Sequence, residues 1–176
     1  MKLYKYASDW RLENVEKNGK VKTVPVYRGD WYRFTYPDKA ASFRVRAAVC
    51  TVLLVVTALA TLFFRIDTFR TWYANMPYYI SLFFLIFLAD TVIRHFRAGS
   101  GRIKREDAEK IWSRFMIDSF FGLFFVSASI IGCAAAGFSR GSLTGWDWAF
   151  LSCLLIDAAV YVYLLVHKDA FKTEKE

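Results

Sequence analysis

The sequence predicts an all-α integral membrane protein: a four-transmembrane-helix bundle with a small N-terminal β-hairpin or meander. Three observations predict it. Apolar stretches lie at about residues 47–64, 76–93, 115–138 and 146–166. Each is long enough, at about 1.5 Å rise per residue, to cross a hydrocarbon core of roughly 30 Å. Hydrophobic residues make up 56% of the chain while the formal net charge is +8, so the positive charge is gathered in the short polar parts. Those parts alternate in basicity. Residues 1–46 carry eleven Lys and Arg, the connection from Arg94 to Arg114 seven, and the tail three; Arg65, Arg70 and Arg140 are all that the other connections hold.

Lys and Arg resist translocation and are drawn to anionic lipid, so both termini are expected in the cytoplasm. The expected location is a bacterial inner (plasma) membrane, multi-pass, since no cleavable signal pattern precedes the first span. Trp72, Tyr73, Tyr78 and Tyr79 border the second span and Trp146 and Trp148 the fourth, as amphipathic rings do at a headgroup layer. The chain divides into an aromatic, basic N-terminal segment (1–46), the transmembrane domain (47–166) and a cytoplasmic tail (167–176).

In the N-terminal segment, Trp10 to Val15 and Val21 to Tyr27 flank Asn18-Gly19, a dipeptide suited to a tight hairpin turn, and a third aromatic run follows at Trp31 to Tyr36. A unit this small needs a surface, so Trp10, Tyr27, Trp31, Tyr32 and Phe34 are expected to pack on the membrane or on the cytoplasmic connection. Thr35-Tyr36-Pro37-Asp38 supplies a capping residue, an early proline and an acid for a first helix beginning near Tyr36. Gly99-Ser100-Gly101 breaks the chain after the second span. From Lys104 to Arg114 it resumes as an amphipathic extension of the third, with Glu106 four residues before Lys110 and Ala108, Ile111, Trp112 and Phe115 on one side.

Within the spans, the run Phe83 to Leu88 makes the second helix read as largely lipid-facing. The third offers a packing face of Gly122, Ser129, Cys133 and Gly137, small residues that let helices approach closely. Proline is absent from the span interiors as drawn, and no internal repeat is evident.

Three acids fall in or near the spans. Asp90 and Asp118 lie toward the cytoplasmic side and are expected to share a salt-bridge cluster with Arg94 and Arg114. Asp157 lies near the middle of the fourth span, where an unpaired ionised carboxylate costs several kcal/mol. It must be protonated, solvated or paired. Tyr161 is one turn away on its face, and Thr57 and Ser127 or Ser129 are the opposing hydroxyls at its depth.

Several chemistries are excluded by what the sequence lacks. Cys50, Cys133 and Cys153 form no Cys-x-x-Cys pair, as thiol exchange would need, and His95 and His167 offer no zinc set. There is no Ser-His-acid set, no His-Glu-x-x-His motif and no phosphate loop. No cofactor or metal is expected. Each basic cluster adjoins a span, so anionic lipid at the cytoplasmic face accounts for it and nucleic acid is not an expected partner. The expected role is that of a non-enzymatic accessory, scaffolding or assembly subunit, bound to another membrane protein or to itself. The alternative is a small, oligomeric proton- or cation-coupled transporter or channel that uses Asp157.

Overall fold

The computed structural model of the chain describes residues 6–17, 20–98 and 101–176, and of residues 15–17, 20–22 and 98 the backbone alone. Four helices dominate: α1 (Pro37–Ala60), α2 (Trp72–Ala98), α3 (Arg105–Arg140) and α4 (Gly145–Val166). Each is long and apolar enough to cross a membrane, yet only 28% to 39% of each apolar window is buried inside the bundle. The outward faces remain apolar, with Val52, Ile86, Phe124, Ile131 and Leu155 all exposed. A helix that is apolar on both sides belongs in lipid.

Helix spacing explains the inward faces. In α1 the buried residues include Phe43, Ala47, Thr51, Leu54 and Thr57, and in α4 they include Phe150, Leu154, Asp157, Tyr161 and Leu164. Both sets recur every three or four positions. α2 and α3 share the longest contact, α4 packs on α3, and α1 touches α2 and α4. The second span buries a third of its apolar window and turns the rest outward, as its composition predicts, but it also contributes an inward face. Phe83 and Ile86 look outward, but Leu85, Leu88 and Val92 are core residues, because a helix turns every third or fourth member of an apolar run inward. Tyr78, expected among the interfacial aromatics, is also buried, and its hydroxyl bonds that of Thr61 at 2.6 Å.

Two small β units sit at the end of the bundle that carries both termini. Strands β1 (Trp10–Lys17) and β2 (Lys20–Tyr27) form an antiparallel hairpin in the register Trp10↔Tyr27 to Lys17↔Lys20. The expected turn residues Asn18 and Gly19 lie outside the described residues, as do Gly99 and Ser100. The third aromatic run, β3 (Trp31–Phe34), does not extend the hairpin into a meander. It is the centre of a separate antiparallel sheet, flanked by β4 (Ile103–Lys104) from the α2–α3 connection and β5 (Thr173–Lys175) from the tail.

That sheet also displaces the expected cap. The amide of Thr35 donates to the carbonyl of Lys172 at 3.0 Å, so the chain is still extended there, and Tyr36 is the residue before α1, with Pro37 its first helical residue. Under the sheet, Phe34, Ala40, Ile103 and Ala108 form a second, smaller core. At the opposite end, α3 closes at Gly141, whose φ of 75° is the left-handed conformation that glycine adopts without strain.

Candidate functional site

The polar groups of the bundle interior fall at three levels. At mid-bundle the hydroxyl of Thr57 donates to Asp157 Oδ1 at 2.6 Å, joining α1 to α4. Thr57 also lies within hydrogen-bonding distance of the carbonyls of Leu53 and Leu54, so it is fixed to its own helix as well. Asp157 is buried, and Tyr161, one turn on, has its ring against Gly122 of α3, where an added Cβ would collide with it. Tyr161 lies within electrostatic reach of both Asp157 and Asp118. Of the other hydroxyls expected near Asp157, Ser129 donates instead to the carbonyl of Ala74 in α2 at 2.8 Å, and Ser127 is half-buried one position round from the buried Val126.

At the level nearer the sheet, the acids separate. Asp90 pairs with Arg94 at 2.8 Å and meets Arg114 at 3.8 Å. Asp118 makes no ion pair with them among the described residues, although Arg114 and Asp90 are within its electrostatic reach. It is 6% exposed, and its Oδ2 has no hydrogen-bond partner among the described residues. The spacing does put Asp118 one turn from Arg114 on the same side of α3, but the long Arg114 side chain reaches the surface while the short Asp118 side chain is covered, beside Thr91 of α2. His95 is fully buried next to this level, between Phe34 and Phe171 with ring centroids 4.8 and 4.1 Å away.

The third level, at the far end, escaped the sequence reading. Asp147 is 1% exposed, and two threonines supply its side-chain hydrogen bonds among the described residues. Its Oδ2 accepts from the amide and hydroxyl of Thr144, and its Oδ1 from the amide and hydroxyl of Thr68, all at 2.8 to 3.0 Å. Thr144 and Asp147 form a capping box at the start of α4. The signal was present as Thr-x-x-Asp before an apolar run, with Asp in place of the usual Glu or Gln.

The packing face of α3 is also wider than Gly122, Ser129, Cys133 and Gly137, all of which are buried. Gly132 makes the closest approach, since a Cβ there would overlap the backbone carbonyl of Tyr73. Pro77 lies inside α2, contrary to the expectation that span interiors lack proline, and having no N–H it leaves that same carbonyl without its usual donor. Cys133 points its thiol at the Thr68 hydroxyl, 3.7 Å away.

On the sheet side, the hairpin is held on α3 by aromatic and charged contacts. Tyr27 stacks edge-on against Trp10 and Trp31, donates to the carbonyl of Asp30 and accepts from the amide of Arg105. Burial pushes its phenol above the ordinary range. Lys104 lies over the Trp10 ring, 4.4 Å from its centroid, and the Tyr6 hydroxyl donates to Glu109. Lys175 pairs with Asp30 at 2.9 Å, and that bond raises the pKa of the ammonium.

Among the described residues no three His, Cys, Asp or Glu side chains converge where a metal could sit, and all three cysteines are free thiols. No family model, curated protein or solved structure matches the chain. What fold and site define is a four-helix bundle of membrane-spanning character, polar inside at three levels and capped at one end by strands from three separate parts of the chain.

Proposed function

We propose that the protein is a non-enzymatic accessory or scaffolding subunit of the bacterial plasma membrane, with the capped end in the cytoplasm and anionic lipid against its basic collar. The observation that carries this reading is the closure of Asp157 on Thr57. The costliest residue of the fourth span spends its hydrogen bond on fastening α1 to α4. The Asp147 and Thr68 cluster does the same for α4 and the first connection. Chemistry is built from unspent polar groups, and these are spent on holding helices. The orientation rests on the charge count, since the capped end carries most of the Lys and Arg. A cap in which the N-terminal strand, the α2–α3 connection and the tail are hydrogen-bonded together offers a partner a fixed surface.

Affinity purification in mild detergent with a mass measurement tests the proposal. A stoichiometric larger membrane partner is expected, and a discrete homo-oligomer with no partner would count against it. A reporter fused after Glu176 tests the orientation, which an external signal would overturn.

A second reading, proton- or cation-coupled transport, draws on a different observation: Asp118, Tyr161 and Asp157 follow one another along the α3–α4 seam. It requires that Asp157→Asn abolish transport while leaving the fold intact.

A further inference from the structure

A cleft of about 790 Å³ opens where the hairpin overhangs α2 and α3. It is within the size range of small-molecule sites. Its wall changes character along its length. Near the cap it is formed by Trp10, Lys110 and Arg114, and toward the bundle centre by Phe87, Ile117 and Asp118. Charged along Lys110, Arg114 and Asp118 and apolar along Phe84, Phe87 and Ile117, the cleft has the two-sided character of an amphiphile's site.

Charge selects among amphiphiles. Lys110 is paired with Glu106, and Arg114 faces Asp90. Asp118 is within electrostatic reach of Arg114 but makes no ion pair with it: it lines the cleft, is more than nine-tenths buried, and its Oδ2 has no hydrogen-bond partner among the described residues. A buried acceptor left without a donor is costly, so the occupant that gains most here brings an N–H and a positive charge to that oxygen. The aromatic and aliphatic floor takes the chain attached to it.

We propose that this cleft binds a hydrophobic ammonium: an amphiphile whose protonated amine bonds to Asp118 and whose hydrocarbon chain lies along Phe87 and Ile117 toward the bilayer. The site does not use Asp157, so it rests on neither the scaffolding nor the transport reading.

Titration of the purified full chain in maltoside micelles with dodecylammonium, using dodecanol and dodecyltrimethylammonium as comparisons, tests it. Dodecylammonium is expected to bind about tenfold or more tightly than either, because dodecanol lacks the charge and the quaternary ion lacks the N–H. Asp118→Asn is expected to erase that preference. Ile117→Trp, at a position that is 45% exposed and so tolerant of bulk, fills the floor while leaving Asp118 in place, and is expected to weaken dodecylammonium binding to a similar degree. Equal affinity for the three probes, or undiminished binding by Asp118→Asn, overturns the proposal. Should Asp118→Asn fail to fold, undiminished binding by Ile117→Trp overturns it and loss of binding supports it.

Discussion

Gly132 of α3 rests against the backbone carbonyl of Tyr73 in α2, the carbonyl that Pro77 leaves without an intrahelical donor. Two unfavourable features thus become one contact. Proline removes a hydrogen bond, and the exposed oxygen fits only because the facing residue has no Cβ. Ser129, one turn earlier on the same face, donates to the next carbonyl, that of Ala74. Gly132→Ala is expected to force α2 and α3 apart and destabilise the bundle by about 1–3 kcal/mol, the usual cost of overpacking. Thermal unfolding in detergent reads it. Gly101→Ala, with open space around it, is the matched control and should leave the midpoint unchanged.

Asp147 carries four hydrogen bonds on two oxygens, so its removal has two separable consequences. Thr144→Ala takes away the cap of α4 and is expected to cost about 1 kcal/mol. Asp147→Ala also leaves the amide of Thr68 without its acceptor in a buried site, adding about 1–3 kcal/mol. The double variant should be worse than Asp147→Ala alone by less than the full cost of Thr144→Ala, because the hydroxyl's bond to the carboxylate is already gone while its bond from the backbone amide of residue 147 remains to be lost. Chemical denaturation of the three variants side by side checks the order.

The four spans were legible because hydropathy over twenty residues is a strong signal and each helix remains apolar on its outer side. Hydropathy alone misses the charged helix starts, but capping and amphipathic spacing located them: a start near Tyr36 and an extension from Lys104 meet the observed starts at Pro37 and Arg105. The β3-centred sheet could not be read at all. β4 is two residues and β5 three, too short to show alternation, and each is a strand only because β3 pairs with it across the fold. Gly132 was passed over for its neighbour Cys133, since spacing identifies a face but not which residue on it makes the closest approach. Thr57 was legible as a partner of Asp157 from depth alone. Asp118 was legible as a neighbour of Arg114 but not as a residue buried without an ion pair, because spacing gives nearness along a helix and not how much of each side chain its neighbours cover.

The tail should behave as part of the cap. Ending the chain after Phe171 removes β5 and the acceptor for the Thr35 amide. Hydrogen exchange is expected to accelerate at Thr35 while the helix interiors keep their protection, since no core side chain is lost. Phe171→Ala is the contrasting variant. Its ring is fully buried against Phe43, His95 and Phe115, so a loss of about 3–5 kcal/mol is expected, felt at the ends of α1, α2 and α3 together. Exchange measured residue by residue distinguishes the two patterns.

The bond between Thr57 and Asp157 decides between a fastener and a working acid. A fastener needs a hydrogen bond and not a charge. Asp157→Asn keeps an acceptor oxygen at the Thr57 hydroxyl and is expected to fold with a midpoint close to that of the parent. Asp157→Leu leaves that hydroxyl only its own helix carbonyls, and adds branched bulk beside Tyr161 and Gly122. Interhelical hydrogen bonds in membrane bundles average about 0.6 kcal/mol, so Thr57→Val alone is expected to cost about that much, and Asp157→Leu more because of the packing it disturbs. A double-mutant cycle isolates the pair: for a fastener the coupling between Thr57→Val and Asp157→Leu equals the bond, while that between Thr57→Val and Asp157→Asn is near zero. If Asp157→Asn instead folds normally and abolishes a measured ion or proton flux, the carboxyl is needed for its proton. The bond to Thr57 is then the resting state of a site that opens, and the scaffolding reading fails.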